Sequence, residues 1–225
     1  SKRFFKRTFG SKLDYKSKSD YVDETEYDSH IAMGSLPKFL RPSLESFQKA
    51  KKLKLKVDQN KATAIRSKLI DSKFKKVVGI SWKSTSTVNN KKSLTLEEFM
   101  LGIYSPNIRF VCLQYGDVKE EIQKVKEKHG IDICELEEVD KFNDIDHLAA
   151  LISACDQVVS VSNVTVHLAG AIGIPSKILV PTNNLFYLGK EDRYSYWYPS
   201  LELFRQSERG NWKDTLLRTK KAIDN

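Results

Sequence analysis

Three side chains in the segment DQVVSVSNVTVHLAGAIGIPSKILVPT (156–182) have the types and spacing to bind a phosphate group. Ser162 and Asn163 follow an apolar run. Both are residue types that cap helix N-termini, where unpaired N–H groups and a partial positive charge suit an anion. His167 comes four residues after Asn163, on the same face of the helix that they would begin. The pattern predicts a phosphate cradle beside an imidazole; a capped helix with a half-buried histidine is the alternative interpretation.

The chain around these residues has the pattern of a strand, a helix and a second strand. The apolar run 158–161 consists mostly of β-branched residues and predicts a strand that is buried on both faces. Gly173 is placed to end the helix, and 178–180 predicts the next strand. Connections this short predict parallel strands with a right-handed crossover. Ser162 and Asn163 would then lie at the carboxyl end of a strand, where parallel sheets bind ligands.

Strands and helices alternate in the same way over most of the chain. Further strands are predicted at 77–81, 108–114 and 131–136, and helices at 59–70, 95–104, 117–129, 144–155 and from about Trp212 onward. Asp58, Thr95 and Asp144 are expected to cap three of these helices, with Glu98 completing a capping box, and Gly130 to end a fourth. The segment 44–55 has a helical but very basic pattern. The alternation predicts an α/β fold with a doubly wound parallel sheet.

Composition places the chain among ordinary globular proteins. It has 225 residues, of which 40% are hydrophobic and 30% charged. No apolar run approaches the roughly 20 residues that span a bilayer, and the opening SKRFFKRTFGSK lacks the apolar core of a secretion signal. Cys112, Cys134 and Cys155 lie in or beside apolar segments without a CxxC spacing. We therefore predict free buried thiols, no disulfide, no metal site, no transmembrane segment and a cytoplasmic location.

The positive net charge of +9 comes entirely from the front of the chain. Residues 1–76 contain 20 Lys and Arg against 9 Asp and Glu, whereas the remaining residues contain 18 against 20. A basic front can bind nucleic acid or an anionic membrane surface. Spaced aromatic platforms and a recognisable nucleic-acid-binding motif are absent, so a solvated lysine-rich surface is favoured over nucleic acid binding.

Other polar segments follow the predicted strands and would lie at the same edge of the sheet. The loop WKSTSTVNNKKS (82–93) carries Lys83, Lys91 and Lys92, whose charges could oppose a phosphate, and the hydroxyl groups of 84–86; a plain surface loop is the alternative. Gln114 follows the second strand. Asn143 and Asp146 could contact a ligand hydroxyl, while Asp144 is explained most simply as a helix cap. Neither a dinucleotide fingerprint, nor a P-loop, nor a nucleophile elbow is present.

The blocks VGISWKS, RFVCLQYG, NDIDHLAALISACDQVVSVSNVTVHLAGAIGIPSKILVP and YSYWYPSLELFRQ, in this order, resemble the C-terminal half of GT-B type glycosyltransferases. The resemblance covers about residues 29–224. It is closest to the heptosyltransferase-like proteins that are often fused to tetratricopeptide repeats, and 143–181 is its most specific part. It implies a Rossmann-like domain that binds a nucleotide-diphosphate-sugar donor as substrate, without a separate cofactor.

The resemblance also assigns donor-binding residues. The family's usual motif reads Asp-Thr-small-x-x-His; here Ser162 and Asn163 occupy the Asp-Thr positions, Val164 the small one, and His167 matches. Lys92 fits the family's basic residue in the first loop, and Gln114 its Leu-Gln. The donor-binding residues implied are Lys83, Lys92, Gln114, Asp144, Ser162, Asn163, Val164, Thr165 and His167. The missing Asp carboxylate removes one contact to the donor.

The same resemblance sets the expected domain organisation. Residues 1–35 are expected to be an N-terminal remnant and linker, and 36–225 the Rossmann-like nucleotide-sugar-binding domain. GT-B enzymes place the general base and the acceptor site mainly in their N-terminal domain, so this chain is expected to lack that half, with its catalytic residues unassigned. The leading interpretation is a glycosyltransferase-type donor domain. A catalytically inactive nucleotide-sugar-binding module and a basic α/β nucleic-acid-binding protein are the alternatives.

Overall fold

The computed structural model of the chain describes residues 2–16, 19–84, 92–182, 188–189 and 193–224. Its strands are β1 (Lys76–Ser81), β2 (Ile108–Cys112), β3 (Ile133–Cys134), β4 (Gln157–Val161), β5 (Ser176–Val180) and β6 (Leu201–Arg205). They form one sheet in the order β3-β2-β1-β4-β5-β6, and every pairing between them is parallel. The predicted doubly wound α/β fold is confirmed.

Helices cover both faces of this sheet. Within the described residues they are α1 (Lys2–Phe9), α2 (Leu36–Leu40), α3 (Leu44–Lys49), α4 (Gln59–Leu69), α5 (Leu96–Ile103), α6 (Lys119–His129), α7 (Ile145–Ser153), α8 (Val164–Ile172) and α9 (Lys213–Asp224). Buried side chains of α5, α6 and α9 form one core layer with the sheet. Those of α1, α4, α7 and α8 form the layer on the opposite face. With this strand order, the chain leaves β1 and β4 toward opposite faces of the sheet.

Helix boundaries follow the local signals in the sequence. The side chains of Asp58, Thr95 and Asp144 accept hydrogen bonds from backbone N–H groups in the first turns of α4, α5 and α7, at 3.2, 3.1 and 3.0 Å. Gly130 and Gly173 end α6 and α8 with φ values of +66° and +88°, a left-handed conformation that glycine adopts at no steric cost. These predicted caps and stops are confirmed.

Several elements differ from the sequence prediction. The strand expected at 131–136 is reduced to β3, and the helical pattern at 44–55 yields only α3. Beyond α3 the backbone is extended at Ala50, and the N–H of Leu55 donates to the carbonyl of Ala171 at 2.8 Å. A bond to another element thus replaces the continued helix. Strand β6 and helix α1 were not predicted.

Helix α1 packs on the body of the protein through one aromatic side chain and one ion pair. Phe4 is buried in the core layer that contains α4 and α7. Arg7 forms a two-pronged pair with Asp146 of α7, at 2.7 and 2.9 Å, a geometry that only a guanidinium offers. The basic front of the chain is therefore held to the fold by contacts with residues about 140 positions away.

None of the described helices could cross a membrane. The longest helix, α9, has 12 residues, and no helix in the described part of the chain combines the length and hydrophobicity of a bilayer span.

Gly79, in the middle of β1, is expected to tolerate no larger residue. A Cβ atom there would lie 2.5 Å from Cδ1 of Leu113 and 3.1 Å from Sγ of Cys155, and both neighbours are buried. Gly79→Ala should therefore lower the free energy of unfolding by about 1–3 kcal/mol, measured by urea denaturation. Gly34→Ala is the matched control, because no atom lies within 4 Å of the added Cβ. Equal stabilities of Gly79→Ala and the wild type would contradict this packing.

Candidate functional site

The sheet contains one crevice where its strand order reverses. Strand β1 pairs with β2 on one side and with β4 on the other. The chain leaves β1 toward α5 on one face and leaves β4 toward α8 on the opposite face. The two strands stay paired as far as Ser81 and Ser160, but the segments that follow them diverge to opposite faces and leave a crevice between them, the place where ligands bind in open parallel sheets.

Gln114, just after β2, organises the start of the loop that follows β1. Its side chain is fully buried. Its Oε1 accepts hydrogen bonds from Ser81 Oγ at 2.9 Å and from the N–H groups of Trp82 and Lys83 at 3.1 and 3.0 Å. One amide oxygen thus satisfies two backbone donors that would otherwise be buried without partners.

Asn163 joins the start of α8 to the same loop. Its Oδ1 accepts from the N–H of Thr165 at 3.0 Å and so caps the helix. Its Nδ2 donates to Ser81 Oγ at 2.7 Å and to the carbonyl of Lys83 at 3.1 Å. All the polar atoms of this side chain therefore bond to the protein, as a positioning residue requires. Direct contact of Gln114 or Asn163 with a ligand stays a prediction.

Lys83 is turned toward α6. Its ammonium pairs with Glu121, whose other carboxylate oxygen accepts from Trp82 Nε1 at 2.8 Å. Lys83 and Ser84 line a cavity of about 460 Å³ together with residues of α5 and α6. The charge of Lys83 is thus compensated within the protein, which weakens its predicted attraction for a phosphate. Lys91 and residues 85–86 of the same loop lie outside the described residues.

Lys92 and His167 lie close together. Lys92 is only 8% exposed, and no described carboxylate forms an ion pair with it. Burial lowers the pKa of His167, and the positive charge of Lys92 lowers it further. The ring of Tyr198 contacts the imidazole edge-on, with centroids 5.9 Å apart. His167 is therefore neutral at neutral pH and lies beside a largely buried cation, a combination that an anionic ligand would stabilise.

The first turn of α8 supplies the remaining polar groups. Ser162 and Thr165 are fully buried, and Thr165 Oγ1 has no hydrogen-bond partner among the described residues. Val164 is 46% exposed and leaves the helix start accessible. A nine-residue helix presents N–H groups and a partial positive charge at this end.

The acidic residues near this edge are engaged elsewhere. Asp144 caps α7, and Asp146 is held by Arg7, which lowers its pKa. Hydrogen bonds from Asn143 and Phe142 lower the pKa of Asp140. A lowered pKa makes a carboxylate a weak general base. No three His, Cys, Asp or Glu side chains in the described chain come together as a metal site would require.

Four residues of this region were not among the sequence predictions: Ser81, Glu121, Tyr198 and Gln206. Ser81 could have been found, because it is the polar residue that ends an apolar strand. Glu121 has no local signal, since its partner Lys83 is 38 residues away. Gln206 follows β6, and its Oε1 lies 3.4 Å from the N–H of Thr182 after β5.

Removing the Gln114 amide should destabilise the fold. Gln114→Ala leaves the N–H groups of Trp82 and Lys83 without their acceptor, so the free energy of unfolding should fall by about 2–4 kcal/mol in urea denaturation. Gln123→Ala on the exposed side of α6 is the control and should change it by less than about 0.5 kcal/mol. Equal effects of the two substitutions would show that the Gln114 hydrogen bonds do not hold the loop.

The lowered pKa of His167 predicts a specific dependence of stability on pH. In the unfolded chain the pKa of His167 is about 6.5, and in the folded chain it is lower. At a pH between the folded-state and unfolded-state pKa values, the unfolded chain therefore binds more protons than the folded one. Stability should therefore fall as the pH falls below about 6.5, until the folded-state pKa is passed. His167→Gln should remove this contribution, which is measured as the difference between the two unfolding free energies from pH 7.5 to 5.

Exposed His30 provides the control for the substitution itself. His30→Gln should leave the free energy of unfolding at pH 7.5 within about 0.5 kcal/mol of the wild-type value. A wild type and a His167→Gln variant with parallel stability profiles would contradict the burial of the imidazole.

Most of the chain is similar in sequence to a known protein. Protein FlbA of Caulobacter vibrioides is 34% identical over 207 residues, which are 90% of this chain and 34% of FlbA. The chain thus spans about a third of the length of this relative. No protein-family model matches the chain.

A solved structure shows the same fold at low sequence identity. The ADP-heptose lipopolysaccharide heptosyltransferase II of E. coli has a TM-score of 0.57 and 12% identity, over 83% of this chain and 57% of that one. A glycosyl transferase of family 9 from Veillonella parvula has a TM-score of 0.48 and 14% identity, over 76% and 51%. With its six parallel strands in this order, the chain has the Rossmann-like fold found in the GT-B glycosyltransferases.

Proposed function

We propose that this chain is a glycosyltransferase-type domain that binds the diphosphate of a nucleotide-sugar donor in the crevice between β1 and β4. One observation carries the proposal. Lys92 is a largely buried lysine with no carboxylate partner among the described residues, and its charge acts on a neutral histidine, His167, on a helix that starts at the crevice. A dianionic group would satisfy both the charge and the helix start.

The chemistry of the crevice fits a diphosphate better than a neutral ligand. A buried ammonium without a partner is unfavourable until an anion compensates it. The N–H groups of the α8 start donate hydrogen bonds without any change in geometry, because Asn163 already fixes the helix cap. Thr165 Oγ1 offers a further donor that has no partner among the described residues. The neutral imidazole of His167 has one N–H donor and one nitrogen acceptor.

In sugar transfer these groups would act on the leaving group. As the bond from the sugar to the diphosphate breaks, negative charge accumulates on the departing phosphate oxygens. The Lys92 ammonium and the N-terminal dipole of α8 would stabilise that charge more in the transition state than in the bound donor, which is the requirement for catalysis. In a GT-B arrangement the acceptor side belongs to the other domain, so the proposal covers donor binding and assigns no general base.

The heptosyltransferase II of the fold comparison uses ADP-heptose according to its name. This likeness supports a nucleotide-diphosphate sugar as the ligand class here. The proposal assigns neither the base nor the sugar of the donor, and titration with different nucleotide sugars identifies them. We propose that this activity takes place in the cytoplasm, because free thiols such as Cys112 and Cys155 persist in a reducing compartment.

A donor-binding module without catalysis is the second candidate. The observation that favours it is the use of Asn163, whose amide is taken up by Ser81 and by the carbonyl of Lys83. In addition, Ser162 stands where the family motif has its Asp carboxylate. Donor hydrolysis or transfer, followed with labelled nucleotide sugars and a mixed acceptor panel, separates the two candidates.

The test is calorimetric titration of the chain with UDP, ADP and GDP, their sugars and the free nucleosides. His167→Ala should weaken binding of the preferred nucleotide diphosphate roughly 10- to 150-fold, as expected for a lost hydrogen bond to a charged group. Lys92→Ala should weaken diphosphate binding more than nucleoside binding, and its effect should shrink at high salt.

Exposed residues outside the crevice provide the controls, His30→Ala and Lys75→Ala. Both should bind like the wild type. Unchanged affinity in His167→Ala and Lys92→Ala, in variants that melt at the wild-type temperature, would refute a diphosphate site in this crevice. Equal losses for nucleoside and nucleotide diphosphate would exclude Lys92 as the phosphate contact.

A further inference from the structure

A second concave site lies on the outer side of α8, near the end of this helix that is remote from the crevice. This aromatic groove has a volume of about 530 Å³. Its walls are segment 41–55 and loop 196–200, and its floor is the C-terminal half of α8. The volume is in the range of ligand pockets, and nothing in the proposed donor site uses it.

The groove is built by glycine backbone and clustered aromatic rings. A Cβ atom on Gly170 would lie 2.5 Å from Cγ of Tyr198, so the bare helix lets that ring approach. Phe47 of α3 contacts Trp197 edge to face, with ring centroids 4.8 Å apart and planes at 89°. Tyr196 also packs against Phe47, with ring centroids 6.0 Å apart. These contacts join the two walls into one apolar cluster.

Positive charge surrounds this apolar cluster. Four cations line the groove: Arg41, Lys51, Lys52 and Lys54. No carboxylate lines it, and none of the four cations forms an ion pair within the described part of the chain. Elsewhere on the described surface lysines commonly pair with carboxylates, as Lys68 does with Glu138 and Lys119 with Glu137. The unpaired charges therefore give the groove a local positive potential.

We propose that the aromatic groove binds an acidic peptide segment, which places one aromatic or aliphatic side chain among the rings and its carboxylates against the four cations. An apolar centre with a charged rim is the usual anatomy of a protein interface, and Trp, Tyr and Arg are its commonest energetic anchors. The inference does not depend on donor binding in the crevice.

The arrangement of the rings favours a peptide over single-stranded nucleic acid. Strands of nucleic acid bind to aromatic faces that are spaced to stack successive bases. Here the rings pack on one another, and Trp197 meets Phe47 edge to face. Such a cluster encloses one apolar side chain, whereas it offers no row of separate platforms.

Fluorescence anisotropy with a synthetic probe tests the proposal. The probe is a fluorescein-labelled peptide with four acidic residues on each side of one phenylalanine. The double variant Lys51→Glu, Lys52→Glu should weaken its binding at least about tenfold, because two attractive charges become repulsive. Both lysines are exposed, so their exchange should leave the melting temperature unchanged. Trp197→Ala should weaken binding without changing the salt dependence.

The matched control reverses two exposed lysines on the opposite face of the sheet, Lys213→Glu and Lys221→Glu of α9. It should retain wild-type affinity. Equal losses in the control and groove variants, or equal binding of a peptide with alanine in place of phenylalanine, would overturn the proposal. Tighter binding of an oligothymidylate that displaces the peptide would also overturn it and assign the groove to nucleic acid.

Discussion

The hydrogen bonds of two buried amides, Gln114 and Asn163, hold together the elements that form the crevice. Ser81 connects them, because its Oγ donates to Gln114 and accepts from Asn163. Through these three residues the ends of β1 and β2 and the start of α8 are fixed relative to one another. At a switch point the segments after two neighbouring strands leave toward opposite faces, so no sheet hydrogen bonds join these segments. The amides replace those bonds, and without them the crevice would have no defined shape.

Fixed geometry allows the site to hold a cation out of water. Lys92 is buried beside His167, and burial and charge together keep the imidazole neutral. In water such a pair would simply be hydrated. In a crevice with a fixed shape, the unfavourable electrostatic energy of the pair persists unless an anion compensates it. Lys83, by contrast, is compensated by Glu121, so the two lysines of one loop have different electrostatic roles.

Much of the fold could be predicted from sequence because its signals are local. Caps such as Asp58 and Thr95 and the stop at Gly173 depend on neighbours within four residues. Strand β6 escaped prediction because the buried Glu202 interrupts its apolar pattern, and its partners Lys177 and Arg193 are recognisable only in three dimensions. Helix α1 depends on Arg7 and Asp146, which are 139 positions apart.

For the candidate site as well, only the local patterns could be found in the sequence. The motif positions from Ser162 to His167 could be selected from the sequence, because a strand end followed by helix-capping residues is a local pattern. Their roles could not. Donor binding by Asn163 stays a prediction, whereas the bonds of its amide to Ser81 and Lys83, residues about 80 positions away, could not be read from the sequence. Burial of Lys92 likewise depends on packing in three dimensions and leaves no signal in its neighbours along the chain.

The use of Asn163 and Gln114 as internal braces has a consequence for sequence divergence. In the first turn of α8 the groups suited to an anion include peptide N–H groups, which every residue except proline supplies. Side chains there can change as long as some pair of polar groups keeps the backbone in place. Recognition built from the main chain can thus persist through substitution of nearly all of its surroundings.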